Sequence, residues 1–392
     1  MNRQPSILIV NNNLELGGIQ TALVNLLKEI SDTCSVTLFL FSNTGPLKDE
    51  IPKSVRVTEA KGMLRLLGLS QAQSRALGTK SFLARAMFAL LCRIFGNRFP
   101  IKFLIGNTAL PGRYDLAVSF MQNSAPNLFY GGCNEFVINC VDAGKKAAFL
   151  HCDFASYEGN TPYNRALYAR FDKIAAVSKS CAYQAAQAMP SLKKRICTVE
   201  NCYDFDKIKA AAQKSPYVYD RAYFNVLTIA RLSPEKGILR AAQAVASLVK
   251  SGYPLRWHLV GDGPDAEKMK QFVLEHALGD AIFLHGAKKN PYRYLTGADL
   301  FLLPSFHEGA PMVFGEAACL GVPILATATS SAKELVEKRG VGMVCENSEM
   351  GILKALKQVL DNPEMLYDFA NAGAQGCTNQ QAVASFFSLL DT

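Results

Sequence analysis

The 392-residue chain carries 42 Lys+Arg against 33 Asp+Glu, a net charge of +9, with 49% hydrophobic and 19% charged residues. That length exceeds one ordinary hydrophobic core and predicts two domains, while the apolar share and 10% aromatics exclude a disordered chain. Met1 to Ser6 is polar and the apolar run Ile7 to Val10 is too short for a secretory signal. The longest apolar region, 82–95, is too short for a membrane span and holds Arg85 and Arg93. Eleven cysteines, with no C-x-x-C pair, predict reduced thiols in a cytosolic protein and no metal site.

In chain order, the first half opens with a strand, "SILIV", a loop, "NNNLELGGIQ", and a helix, "TALVNLLKEI". "SVTLFLF" predicts a second strand. Segment 61–113 then holds nine basic residues and no acid. Residues 1–200 carry 23 basic and 13 acidic side chains, against 19 and 20 in 201–392, so the excess charge lies wholly in the first half. Such one-sided charge points to a polyanionic partner. Within 80–95, Leu83, Met87, Leu90, Leu91 and Ile94 fall on one helical face, Arg85 lies away from it, and Lys80, Arg93, Arg98 and Lys102 surround the segment. This pattern fits a helix on an anionic membrane surface or a core helix with a solvated basic face. No nucleic-acid motif accompanies the charge.

Further strands are expected at "DLAVSF", "FVINC", "KAAFLH" and "KIAAVS". The second half repeats the logic: "FNVLTIA", the loop "RLSPEKG", the helix "ILRAAQAVASLVKSG", then strands at "RWHLVG", "IFLHG", "DLFLLPS" and "VPILAT". Short apolar runs alternating with helices predict parallel sheets covered on both faces. The fold class is α/β, with two doubly wound domains, 1–205 and 206–375, and a tail, 376–392, expected to close with a helix packing back toward the first domain. In such sheets ligands bind beyond the carboxyl ends of the strands.

Three loops there carry candidate chemistry. Gly17 and Gly18 would let backbone approach a ligand at a helix start, although the pair is also an ordinary tight turn. The dinucleotide G-x-G-x-x-G and the G-x-x-x-x-G-K-[ST] phosphate loop are both missing. Arg231 and Lys236, five apart around a proline turn, could lean over one diphosphate and replace a divalent metal; alternatively they are solvated loop cations. "HEGAPMVFGE" places Glu308 and Glu316 eight apart. On one helix that spacing is roughly 80° around the axis and about 12 Å along it, too far for one small group. Gly309 and Pro311 suggest a break, with a helix from about Pro311 to Leu320 stopped by Gly321. Glu308 then lies in the loop and Glu316 in the second turn. Carboxylates suit hydroxyls rather than phosphates, which the helix-start amides near Met312 and Val313 could take. A ligand with central phosphates and hydroxyls at both ends fits, as in a nucleotide-sugar.

"HEGAPMVFGEAACLGVPILAT" resembles the E-x7-E region of retaining GT-B glycosyltransferases of the glycosyltransferase 4 family, and bacterial capsule and exopolysaccharide enzymes in particular. The resemblance extends through "GGIQ", "ARLSPEKG", "LVGDGP" and "ADLFLLPS", over nearly the whole chain. It implies a GT-B fold, two Rossmann-like domains facing across a cleft that closes on the donor, and retaining transfer from a UDP-sugar to a lipid-linked or saccharide acceptor. It implies no cofactor and no essential metal. Gly17 and Gly18 would line the diphosphate, Arg231 and Lys236 would hold it, Glu308 would meet the transferred sugar and Glu316 the ribose. His151, in "FLHCDF", would position the donor or donate a hydrogen bond near the reacting sugar. The family's "PNGVD"-like turn is here "ENCYD", so only Asn201 and Asp204 match, and Ala310 replaces a larger apolar residue. A cytoplasmic enzyme on the inner membrane face is implied. A nucleotide-sugar epimerase and a silent partner subunit are the alternatives; intact Arg231, Lys236, Glu308 and Glu316 speak against silence.

Overall fold

The computed structural model describes residues 3–106, 108–154 and 158–391; Asn107 of the basic segment lies outside them. The chain forms two compact units, Met1–Cys202 with Asn379–Thr392, and Tyr203–Thr378.

In the first unit, β1 (Ser6–Asn11), β2 (Ser35–Leu40), β3 (Arg56–Glu59), β4 (Leu110–Ser119), β5 (Val141–Leu150), β6 (Lys173–Ala176) and β7 (Ile196–Thr198) form one sheet, ordered β3-β2-β1-β4-β5-β6-β7. Every pairing is parallel; Ile7 pairs with Val36 on one side and Leu116 on the other. Central strands buried on both faces need unbroken apolar runs, which is why β1, β2 and β5 are readable from sequence. The edge strands β3 and β7 lack buried residues and give no such signal. The helix Gln380–Phe387 belongs to this unit.

One expected strand is a helix. "FVINC" lies in the helix Cys133–Cys140, which follows Gly131 and Gly132, both at positive φ (104° and 88°). Phe136, Val137 and Ile138, three successive residues, are all buried, so the short run that suggested a strand carries no polar position of its own. A short run that is apolar all round has no period to separate buried helix from buried strand.

In the second unit, β8 (Phe224–Ile229), β9 (Leu255–Val260), β10 (Ile282–Gly286), β11 (Leu300–Leu303), β12 (Ile324–Thr327) and β13 (Gly342–Cys345) form a parallel sheet ordered β10-β9-β8-β11-β12-β13. Its two faces carry separate cores. Val226, Trp257, Leu300 and Leu302 pack with the helices Ile238–Lys250 and Glu349–Asp361, whereas Leu227, Phe301, Leu303 and Ile324 pack with Phe314 and Ala317 of the helix Met312–Cys319. The strand order reverses between β8 and β11. The loops after those strands therefore splay apart at the sheet's carboxyl edge and leave room for a ligand.

Candidate active site

The loop after β8 runs from Ala230 to the short turn Pro234–Lys236. Gly237 follows at φ 64°, and a Cβ there would stand 2.2 Å from the Pro304 carbonyl oxygen. Glycine thus lets the β8 loop press against the end of β11. The Phe306 N–H donates to the Glu235 carbonyl at 2.9 Å. Arg240 stacks on the Phe306 ring at 3.8 Å, donates to the Pro304 and Ser305 carbonyls at 2.8 and 3.2 Å, and also bonds Asn347. These contacts fix the loop that carries Glu308.

On this platform Lys236 Nζ meets Glu308 Oε1 at 2.6 Å, and Ser305 Oγ donates to the same oxygen at 2.6 Å. Both charged side chains are largely buried, at 23% and 10% exposure. Such a pair repays its desolvation only with further hydrogen bonds, which Ser305 supplies. Two residues that are 72 apart in sequence thereby share one point in space. Arg231 behaves differently. It is exposed and pairs with Glu235 at 2.7 Å, and Ser233 Oγ donates to the same carboxylate oxygen. Burial opposes the ionised form of Glu235, yet the hydrogen bonds from Ser233 and Arg231 hold it below the usual carboxylate range. Arg231 and Lys236 each pair with a carboxylate of their own here, because the turn points them to different neighbours.

The helix Met312–Cys319 begins one residue after Pro311, so Glu308 is in the loop and Glu316 in the second turn. Gly321, at φ 69°, ends it: the Val322 N–H reaches the Ala317 carbonyl at 3.0 Å and the Gly321 N–H the Ala318 carbonyl at 2.9 Å. Met312 and Val313 supply the first amides, and no side chain caps them. Burial pushes the Glu316 carboxyl up to about 7, and the Tyr292 hydroxyl, donating at 3.3 Å, opposes that shift less strongly. Gly315 allows this helix to meet Tyr203, since a Cβ would stand 2.4 Å from that ring.

In the first unit, Gly17 and Gly18 follow β1. Gly17 has φ −179°, extended backbone that any residue adopts, and precedes an uncapped helix, Gly18–Ile30. His151 follows β5. Its backbone N–H donates to Gln122 Oε1 at 2.7 Å, and its ring lies against Phe120 and Phe149. Nε2 stands 2.7 Å from the Phe120 carbonyl, which can only accept, so Nε2 carries the proton. Burial pulls the imidazole down to about 4, with the Phe120 hydrogen bond opposing. The neutral ring therefore offers Nδ1 as an acceptor, because its ring N–H is already used. Asn201 belongs to this unit, and Asp204 caps the next helix through the Lys207 N–H at 3.0 Å.

Sequence reading missed Glu235, Ser305, Tyr292 and Arg240, which hold the expected residues in place. Only Glu235 had a signal, its position between the two cations. It also missed Glu135, a buried carboxyl that accepts from Asn123 at 3.0 Å and Tyr163 at 3.2 Å, and that burial pushes up.

Residues 213–376 match the family model for glycosyl transferases group 1. WcaL of Escherichia coli (strain K12), provisionally assigned as a colanic acid biosynthesis glycosyltransferase, is 28% identical over 55% of this chain and 55% of its own length. Its counterpart from Salmonella typhimurium is 28% identical over 64% of each. The amylovoran biosynthesis glycosyltransferase AmsK of Erwinia amylovora is 30% identical over 33% of this chain and 34% of its own. The chain thus spans between about a third and two thirds of these curated relatives. Among solved structures, Anabaena Alr3699/HepE in complex with UDP-glucose superposes with a TM-score of 0.66 at 16% identity, covering 98% of both chains. Staphylococcus aureus TarM gives 0.68 at 12% identity, covering 99% and 100%. The resemblance read from the motifs is borne out, and the fold is GT-B.

Proposed function

We propose that this chain, a GT-B protein related through its second unit to the group 1 glycosyl transferases, moves a sugar from a nucleotide-diphosphate sugar to a lipid-linked or saccharide acceptor in surface polysaccharide synthesis. One observation carries the reading: at the carboxyl edge of the second sheet a partly buried lysine and a loop glutamate meet at 2.6 Å. The helix that starts four residues beyond that glutamate carries the second carboxyl.

Lys236 and Arg231 would exchange their carboxylates for the donor diphosphate, as charge-assisted hydrogen bonds to phosphate oxygens. Glu308, released from Lys236, would accept from hydroxyls of the transferred sugar, of hexose or N-acetylhexosamine type. Glu316 would accept from the ribose, and the Met312 and Val313 amides would face the phosphates. As the bond from C1 of the sugar to the diphosphate breaks, the acceptor hydroxyl would form the new C1–O bond on the same face, its proton passing to the departing phosphate. Lys236 would stabilise the charge that develops there. In the first unit, Gly17 and Gly18 would serve the phosphates and His151 Nδ1 would accept from a sugar hydroxyl; Asn201 is carried only by its match to the family turn. UDP is the base proposed. No metal or other cofactor is assigned a role.

The test is turnover of nucleotide-sugars with and without acceptor. Lys236→Ala is expected to lower kcat by on the order of 100-fold or more, the scale of losing one transition-state electrostatic contact. Wild-type turnover in that variant would remove the diphosphate clamp. Release of free nucleotide that epimerises the sugar and ignores acceptor would favour an epimerase instead.

A further inference from the structure

The first unit holds a surface that the transfer reaction does not use. The helix Thr79–Phe95 is fixed by one face: Phe88 and Cys92 are buried, Phe88 stacks on Phe129 at 5.6 Å, and Arg85 donates to the Leu69 carbonyl at 2.6 Å and to Gln71 at 3.0 Å. The opposite face is also apolar, yet nothing among the described residues covers it. Leu83, Met87, Leu90 and Ile94 recur at helical spacing and are about half or more exposed, from 49% to 61%. Phe95 is 71% exposed and Phe99 and Phe103, on the following helix Arg98–Ile105, are 65% and 62% exposed. Phe103 packs beside Phe88 at 6.2 Å and Phe99 beside Phe103 at 6.4 Å, so the second helix is seated on the first and adds an exposed aromatic pair to it. Soluble proteins rarely leave so many large apolar side chains together in water without a partner. The core-packed alternative for this stripe is thereby corrected.

The surroundings select the partner. Lys80, Arg93, Arg98 and Lys102 are exposed around the strip, and no acidic residue lies between 61 and 113. A second copy docked about a two-fold axis would set this basic ring against itself, like charge against like charge. Bases could stack on the three phenylalanines, but Leu83, Met87, Leu90 and Ile94 would then stay in water. An anionic bilayer satisfies both features, with acyl chains for the strip and headgroups for the ring. Among the described residues no helix is long and apolar enough to cross a membrane, which fits a helix pair lying in the interface.

We propose that the helices Thr79–Phe95 and Arg98–Ile105 form a wedge that inserts Leu83, Met87, Leu90, Ile94, Phe95, Phe99 and Phe103 into an anionic phospholipid surface, with Lys80, Arg93 and Lys102 on the headgroups. The inference stands apart from the transfer reaction.

The test is flotation of the full chain with phosphatidylcholine vesicles and with vesicles of equal parts phosphatidylcholine and phosphatidylglycerol. Binding is expected to the second and to weaken with salt. Lys80→Gln, Arg93→Gln and Lys102→Gln each lower affinity about fivefold, and together about a hundredfold. Leu90→Gln with Ile94→Gln removes the binding that survives high salt. In Phe99→Trp, emission shifts to the blue with anionic vesicles, a signal that Trp257, buried in the second unit, does not give. Equal binding to both vesicle types, or no blue shift, overturns the wedge. So does a stable dimer that the Leu90/Ile94 variant splits, or RNA binding as tight as vesicle binding. Circular dichroism and nucleotide-sugar turnover with a water-soluble acceptor show that the variants fold; absence of turnover in the wild type with intact vesicle binding would instead count against the proposed transferase activity.

Discussion

Glu316 is the residue whose chemistry most depends on its setting. Its ordinary value of 4.5 becomes about 7 through burial. Between those values the folded protein holds a proton that the unfolded chain has released. This group's contribution to stability is therefore fully present below about 4.5, declines as pH rises toward about 7, and is level above it. Glu316→Gln is expected to flatten that slope in thermal unfolding measured across pH. Ribose hydroxyls would donate to the ionised carboxylate, so nucleotide-sugar affinity is expected to rise with pH up to about 7 and then level. Calorimetry in buffers of different ionisation heat should show proton release on binding below that pH, and none in Glu316→Gln. Proton uptake in the wild type would exclude the ribose role. Both glutamates were legible from spacing and from the breaks at Gly309 and Pro311. Their states were not, since burial and the partners Lys236, Ser305 and Tyr292 come from other parts of the chain.

At the scale of elements, the β8 and β11 loops hold the site only because glycine lets backbones touch. Gly261, after β9, has φ 146°, and a Cβ there would lie 1.8 Å from the Ala230 carbonyl oxygen, one residue before Arg231. Gly261→Ala is expected to cost roughly 2–4 kcal/mol, from a backbone conformation closed to alanine together with a clash against main chain. Chemical denaturation measures it, and a loss within about 0.5 kcal/mol, the range of ordinary surface changes, would show that the loop relaxes freely. The "GDGP" turn marked this place in the sequence, but its purpose, the approach of Ala230, is a contact between strands. The misread "FVINC" teaches the same lesson from the other side. Pattern identifies an element only while one of its faces differs from the other.

For the whole molecule, the donor contacts proposed here fall chiefly on one unit. Saturating nucleotide-sugar is expected to slow amide exchange in segments 230–237 and 304–316 of the second unit. At about 100 times Kd it should raise stability by about 2.7 kcal/mol. Protection confined to the first unit, read by mass spectrometry, would reject the donor assignment. The sequence by itself determined the α/β class, two successive doubly wound units, the central strands, the loop motifs after them and the uneven charge. All of these are written in local runs, spacings and composition. Only the tertiary structure decided that Lys236 joins Glu308 while Arg231 joins Glu235, that His151 offers Nδ1, and that the stripe at 83–94 faces outward. The reason is physical: a side chain's partner, protonation and exposure depend on residues brought to it by packing, often from 70 or more positions away.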